Sequence, residues 1–234
     1  MSAYWSGSTS ASGRTDGGLL VRSDDARVLY VLAHGAGAGM RHVFLERAAQ
    51  VFAERGIATY RYEFPYMRAG KSRPDSPAVA EAAVREAVTA AARAAPGLPL
   101  LAGGKSFGGR MTSQAQAEAP LPGVRGLVFL GFPLHPPGRP GVVRAEHLAS
   151  VKVPMLFLQG SRDEFATLEL LRGVTDGLGK RATLHLIDEG DHSFKVPKRT
   201  GKTEADIMNE LAETLNQWAA GVVSPAAPPR GQHG

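Results

Sequence analysis

A serine between two glycines is the first chemical signal in this sequence. Within Gly104-Lys105-Ser106-Phe107-Gly108 the serine stands at the G-x-S-x-G spacing, which is typical of a sharp strand-to-helix turn that exposes the hydroxyl oxygen. Apolar residues 98–102 predict the strand before the turn, and residues 107–118 predict the helix after it. We therefore predict that Ser106 is a nucleophile.

The same segment also contains Gly-Lys-Ser, the end of a phosphate-binding loop. That loop needs an earlier glycine, five residues before Gly104, so that the backbone can wrap around phosphate groups. Pro99 occupies this position and has no N–H to donate. Two further triplets, at residues 70–72 and 201–203, lack the glycine as well. The sequence therefore argues against nucleotide binding and for the serine nucleophile.

A serine hydroxyl becomes a good nucleophile only when a neighbouring base accepts its proton. His192 follows the predicted strand 182–187, and Asp163 follows the predicted strand 154–159. The resulting chain order of serine, acid and histidine belongs to nucleophile turns of this kind. We predict His192 as the base and Asp163 as the acid that orients its imidazole.

Three other carboxylates compete with Asp163 for the orienting role, namely Glu164, Asp188 and Asp191. The last two lie too near the histidine in sequence to approach it from a separate loop. Glu164 lies beside Asp163 and remains an alternative to it.

Acyl transfer also needs N–H donors aimed at the developing oxyanion. Phe107, directly after the nucleophile, is predicted to give the first donor. The glycine-rich segment 34–39 is predicted to give the second through Ala36, with Gly37 as the alternative, because its glycines allow unusual backbone conformations. We expect His34 to brace this loop.

Basic side chains surround the predicted site in the sequence. Lys105, Arg68 and Lys195 are candidates for binding a carboxylate or phosphate on the substrate, and ordinary surface charge is the alternative. No metal-ligand spacing such as H-E-x-x-H occurs, so we expect neither a metal ion nor another cofactor.

Composition narrows the function classes further. The 234 residues carry a formal charge of +5 and contain no cysteine, which excludes disulfides and a cysteine nucleophile. The basic residues are dispersed, so no nucleic-acid partner is expected. No apolar run approaches the roughly 20 residues that span a bilayer, so no membrane partner is expected either. The absence of cysteine and of a signal-peptide pattern favours the cytoplasm.

Short apolar runs alternate with helical stretches through most of the chain, which predicts an α/β fold with a mostly parallel twisted sheet and helices on both faces. We expect a flexible lead-in over residues 1–16, one domain over 17–222 and a disordered Pro/Gly-rich tail over 223–234. Residues 19–22 are predicted as an edge strand. The other predicted helices span 43–55, 78–95, 164–178 and 203–219, and the remaining strands span 27–33, 57–62 and 124–130.

Four segments, 34–35, 104–108, 160–163 and 191–192, resemble the α/β-hydrolase superfamily in matching order, over about residues 17–220. HGAGAGM, GGKSFGGRM and DHSF are similar to a group of small serine hydrolases described as dienelactone-hydrolase-like or testis-expressed-protein-like. The resemblance implies about six to eight strands and a Ser-His-Asp hydrolase site. Dienelactone hydrolases proper use cysteine as the nucleophile, and Ser106 departs from them there.

Only residues 132–148 separate the strand after the nucleophile helix from the strand that leads to Asp163, which predicts a minimal cap or none. An open site favours a small-molecule substrate with a small or exposed carboxylic ester over long-chain lipids. We expect a serine hydrolase of the carboxylesterase kind, with thioesters and amides as further substrate classes. The alternative is a non-catalytic binding or scaffold module on the same fold.

Overall fold

An eight-stranded sheet runs through the molecule in the order β1-β2-β4-β3-β5-β6-β7-β8. The computed structural model describes residues 11–15 and 17–223. The strands are β1 (Ala11–Thr15), β2 (Gly18–Arg22), β3 (Val28–Ala33), β4 (Ile57–Tyr62), β5 (Leu100–Lys105), β6 (Val124–Leu130), β7 (Met155–Gly160) and β8 (Ala182–Ile187).

The ladder from β4 through β3 to β8 is parallel, whereas the β1–β2 and β2–β4 pairs are antiparallel. Parallel strands need crossover connections, which are helices here. The helices are α1 (Val43–Ala53), α2 (Pro65–Arg68), α3 (Pro77–Ala94), α4 (Phe107–Glu118), α5 (Leu168–Leu178) and α6 (Glu204–Val223). The predicted fold class is confirmed.

Helices cover both faces of the sheet, so the central strand β3, with the sequence VLYVLA, is buried and apolar along its whole length. Alternate residues of β3 enter opposite halves of the core. Leu29 and Val31 pack on the side of α3 and α4, whereas Tyr30 and Leu32 pack on the side of α1 and α6. Each fully buried side chain of this size contributes about 1.5–3 kcal/mol through burial. The core thereby fixes the carboxyl ends of β3 to β8 along one edge.

Several element boundaries differ from the sequence-based expectation. Strand β5 continues to Lys105, because residues 100–104 pair with β3 and the pairing with β6 extends to Lys105 opposite Leu130. Helix α5 begins at Leu168 and not at residue 164, because the chain first makes a turn in which the Ala166 N–H donates to the Asp163 carbonyl. Between β4 and α3 the chain forms the short helix α2, which the sequence does not predict.

The amino-terminal end of the sheet also needs a correction. β2 is not an edge strand, because β1 pairs with it from Ala11 opposite Arg22 to Thr15 opposite Gly18. The lead-in expected over residues 1–16 is therefore corrected for residues 11–15, whereas residues 1–10 and 16 lie outside the described part. The tail expected over 223–234 lies outside it as well, except that Val223 ends α6. None of the helices in the described ranges is long and apolar enough to cross a membrane.

Candidate active site

Ser106 occupies a strained turn between β5 and α4. Its backbone has φ 49° and ψ −113°. Residues other than glycine rarely adopt this conformation, and it persists only when the surrounding structure enforces it. The flanking glycines allow the close packing. A Cβ atom on Gly104 would lie 2.3 Å from the Ala33 carbonyl oxygen, and one on Gly108 would lie 2.5 Å from that of His34. The half-buried hydroxyl of Ser106 is thus presented at the carboxyl edge of the sheet.

Three side chains from separate loops form one chain of hydrogen bonds at this edge. Nε2 of His192 lies 2.9 Å from Oγ of Ser106, and Nδ1 of His192 lies 2.7 Å from Oδ2 of Asp163. These loops follow β5, β7 and β8. The structure therefore brings together the three residues that the sequence predicts as nucleophile, base and acid.

Asp163 is only 4% exposed, and three contacts fix its carboxylate. Oδ2 accepts from Nε2 of Gln159 at 2.5 Å and faces His192, while Oδ1 accepts from the Phe165 N–H at 2.8 Å. A buried carboxylate needs such donors to offset lost hydration. Its orientation toward the imidazole is therefore set before any substrate binds.

Gln159 also contacts this site, although the sequence does not single it out. It is 1% exposed at the end of β7, and its Oε1 accepts from the Phe132 N–H at 2.7 Å. Gln159 thereby joins the loop after β6 to the carboxylate of Asp163. The available signal was a polar residue that ends an otherwise apolar strand, since a buried amide must find partners.

The competing acids do not approach the imidazole. Asp191 turns its Oδ1 toward the N–H groups of Ser193 and Lys195, at 2.8 and 2.9 Å, and so shapes the histidine loop. Asp188 and Glu164 are exposed. Within residues 17–223, Asp163 is the acid that hydrogen-bonds to His192.

Two backbone N–H groups are available near the nucleophile. Phe107 is the first residue of α4, and the first N–H groups of a helix have no partner within it. Ala36 is exposed in the glycine-rich loop after β3, and the described residues offer its N–H no hydrogen-bond acceptor. The Gly37 N–H instead donates to the Tyr66 hydroxyl at 3.0 Å. The prediction of Gly37 as an oxyanion donor is therefore corrected in favour of Ala36.

His34 braces the glycine-rich loop after β3 through two hydrogen bonds, as expected. Its ring is fully buried, with Nδ1 2.7 Å from the Gly35 carbonyl oxygen and Nε2 accepting from the Phe64 N–H at 3.1 Å. Nδ1 is thus the donor, and the imidazole is neutral. Burial lowers the pKa of His34, which keeps it in that form. The contact ties the loops after β3 and β4 together.

The three basic residues predicted to bind substrate lie in different settings. Nζ of Lys105 donates to the His192 carbonyl at 2.6 Å and lies 5.5 Å from the centre of the Phe194 ring. One of the three donors of its ammonium group is therefore already engaged within the site, and the binding of a substrate anion by Lys105 stays a prediction. Arg68 and Lys195 are exposed, and no hydrogen bond within the described chain joins either side chain to Ser106 or His192.

The connection between β6 and β7, beside the site, is short. Residues 131–154 connect β6 to β7 and contain a single short 3-10 helix, Val143–Ser150, so no inserted cap covers the edge. The Phe165 ring packs against the His192 imidazole with centroids 4.3 Å apart. In the part of the chain that the structure describes, no three His, Asp or Glu side chains are grouped so that they could hold a metal ion.

A mostly parallel sheet with helices on both faces and a serine at this strained turn defines an α/β hydrolase fold. The model of the alpha/beta hydrolase domain family matches residues 26–220, and the chain belongs to that family.

Solved structures share this architecture. A dienelactone hydrolase from Anabaena variabilis is 19% identical, with 93% of this chain and 99% of that chain covered and a TM-score of 0.70. A serine hydrolase without a lid from Xanthomonas campestris is 20% identical, with 97% and 100% covered and a TM-score of 0.64. The esterase domain of a Rhodothermus marinus protein is 15% identical, with 92% and 99% covered and a TM-score of 0.64. At these identities the likeness shows the fold.

Proposed function

We propose that this protein is a serine hydrolase that cleaves a small or exposed carboxylic ester through an acyl-enzyme. The hydrogen-bonded chain from Ser106 through His192 to Asp163 is the observation that carries the proposal. Each residue has the chemical type its place requires. Two N–H groups that have no partner among the described residues lie beside the serine, that of Phe107 at the start of α4 and that of Ala36 in the loop after β3. The esterases and hydrolases among the similar structures support the same reaction class.

In the first half-reaction, Oγ of Ser106 attacks the ester carbonyl carbon while Nε2 of His192 takes the hydroxyl proton. Asp163 stabilises the imidazolium that forms and keeps Nδ1 as a donor. The N–H groups of Phe107 and Ala36 stabilise the oxyanion, an effect worth about 2.7–4 kcal/mol per donor. Collapse of the intermediate breaks the ester bond, and His192 gives its proton to the departing alcohol.

In the second half-reaction, water attacks the acyl-enzyme and transfers a proton to Nε2 of His192. The second oxyanion forms in the same place, and its collapse releases the carboxylic acid. The proton returns from His192 to Oγ of Ser106. The open edge above Ser106 admits small or surface-presented esters, and thioesters or amides would pass through the same steps with a thiol or amine as leaving group.

The distance between Ser106 and His192 also bears on the alternative, a non-catalytic binding module. Such a module has no need for a base within hydrogen-bonding distance of its serine, and the observed 2.9 Å is short enough for His192 to take the proton of Ser106. The strained backbone of Ser106 supports catalysis as well, because strain of this kind is kept at functional sites.

Labelling with a fluorophosphonate probe tests the proposal, together with hydrolysis of p-nitrophenyl acetate and a panel of esters, thioesters and lactones. The wild type should be labelled and should turn over at least one ester. The Ser106→Ala variant should lose both, with a fall of about 10⁶-fold in kcat. Ser150→Ala, at an exposed serine that ends the 3-10 helix Val143–Ser150, is the matched control and should behave as wild type.

A wild type that neither reacts with the probe nor hydrolyses any member of the panel would overturn the proposal. Retention of labelling in Ser106→Ala would assign the nucleophile to another residue.

A further inference from the structure

Lys105 is bonded covalently to the predicted nucleophile and by a hydrogen bond to the predicted base. It precedes Ser106 in the chain, and its Nζ donates to the main-chain carbonyl of His192 at 2.6 Å, across 87 residues of sequence. An ammonium group gives a stronger hydrogen bond than a neutral donor does. The side chain therefore connects the turn that carries the serine to the loop that carries the histidine.

The space around this side chain is shaped for it. A Cβ atom on Gly131, at the end of β6, would lie 2.9 Å from Nζ of Lys105 and 3.4 Å from the His192 ring. One on Gly35, after β3, would lie 3.6 Å from Cγ of Lys105. The Phe194 ring adds a cation–π contact. Lys105 is thus enclosed by the ends of β3 and β6 and by the histidine loop.

The position is electrostatically unfavourable for a lysine. Burial lowers the pKa of Lys105 to about 8, although the negative charges of Asp163 and Asp191 act in the opposite direction. In the described ranges no carboxylate hydrogen-bonds to Nζ, whose partner is the His192 carbonyl. A methionine would fill similar space without desolvating a charge. The hydrogen bond from Nζ to the His192 carbonyl is a reason for a lysine at this position.

We propose that Lys105 is a positioning residue that fixes the His192 loop relative to Ser106 by holding the His192 carbonyl. The proposal rests on the proposed hydrolase function and adds a residue to its machinery. The ring of His192 can accept the proton of Ser106 only while the backbone of the histidine loop keeps Nε2 within hydrogen-bonding distance of Oγ. A displacement of a catalytic group by about 1 Å can lower a rate about 100-fold.

The first experiment compares Lys105→Met with wild type and with Lys152→Met, an exposed lysine before β7. Lys105→Met should lower kcat by about 10- to 100-fold with KM nearly unchanged. The rate of fluorophosphonate labelling should fall in parallel, because both measure the reactivity of Ser106. A change in KM alone would overturn the proposal and assign Lys105 to substrate binding.

The second experiment uses pH. Lys105 carries its charge below pH of about 8 and loses it above, and the charged groups facing it are Asp163, Asp191 and His192 when protonated. The wild-type kcat should therefore decline above this pH, and Lys105→Met should lack the decline. Lys105→Arg keeps a cationic donor at all these pH values, so at alkaline pH its kcat should exceed that of Lys105→Met. An identical alkaline limb in wild type and Lys105→Met would count against the proposal.

A third readout is independent of substrate. Amide hydrogen exchange of residues 190–195 should be faster in Lys105→Met than in wild type, while the melting temperature should not fall, because a buried charge is removed. Equal protection of this loop in both proteins would overturn the positioning role. If the wild type hydrolyses nothing and resists the probe, the proposed function fails, and the exchange comparison still decides what Lys105 does.

Discussion

Gln159 and Asp163, four residues apart at the end of β7, share a hydrogen bond of 2.5 Å inside the core. The amide donates to the same carboxylate oxygen that faces His192. Because the other end of the amide accepts from the Phe132 N–H, it cannot rotate freely. The strand itself thus orients the acid of the site, through a side chain that touches no reacting atom.

Gln159→Leu should therefore lower kcat by about 10-fold or more, because it removes one donor from Asp163 and frees the loop at Phe132. Loss of a hydrogen bond to a charged group should also destabilise the fold by about 1.5–3 kcal/mol. Steady-state kinetics and urea unfolding measure the two effects. Gln50→Leu, at an exposed position on α1, is the control. Equal kcat in Gln159→Leu and the control would contradict the orienting role.

Asp163→Asn should lower kcat by about 10⁴-fold, because an amide no longer fixes Nδ1 of His192 as the donor. Asp191→Asn retains an acceptor for the N–H groups of Ser193 and Lys195 and should change kcat by less than about 10-fold. The comparison is made with one ester at saturating concentration. The reverse ranking of the two variants would transfer the orienting role to Asp191.

Tyr66→Phe should weaken catalysis without unfolding the protein. The Tyr66 hydroxyl accepts from the Gly37 N–H, so its loss frees the loop that presents the Ala36 N–H, and we expect kcat to fall by about 10-fold. Tyr30→Phe removes a comparable buried hydrogen bond, to the Val128 carbonyl. That control should lose about 1 kcal/mol of stability and keep its kcat. Equal losses of kcat in both variants would show a general packing effect.

Gly108→Ala should destabilise the protein by about 1–3 kcal/mol, because the added methyl group has no space beside the His34 carbonyl. Gly177→Ala, on α5 where nothing lies within 4 Å of the new Cβ, should stabilise it by about 0.5–1 kcal/mol through helix propensity. Thermal and urea unfolding measure both changes. A stable Gly108→Ala variant would show that the turn tolerates a wider separation from β3.

Stability should fall as the pH decreases from about 6.5 to 4. Burial, together with the charge of Arg110, lowers the pKa of His147 to about 4, so the unfolded chain binds a proton in this range that the folded chain refuses. The folded form is neutral, with Nε2 2.7 Å from the Ser113 hydroxyl oxygen.

His147→Gln should remove part of this loss, on the order of 2 kcal/mol near pH 4.5 once partial exposure is allowed for. The remainder includes His34, whose pKa is lowered by burial in the same way. Urea unfolding at pH 7 and 4.5 gives the difference for each protein. Equal differences in wild type and His147→Gln would exclude His147 as a source.

Local sequence was sufficient for most of the fold. The helix Phe107–Glu118 and the strands Val124–Leu130 and Ala182–Ile187 lie at their predicted bounds, because apolar periodicity and nearby glycines or prolines act over a few residues. The start of α5 differs from the prediction, since residues 163–166 form a turn in which the Phe165 N–H donates to the Asp163 carboxylate, and the other oxygen of that carboxylate faces His192, 29 residues further along the chain.

The sequence by itself determined the residue types of the site, their order and their placement after the strands. Those features depend on spacing along the chain. Only the tertiary structure decided that Asp163 rather than Asp191 faces His192, that Tyr66 occupies the Gly37 N–H, and that Gln159 and Lys105 hold the acid and the histidine loop. Hydrogen bonds between loops depend on distances of a few tenths of an ångström, which the packing of the whole sheet sets.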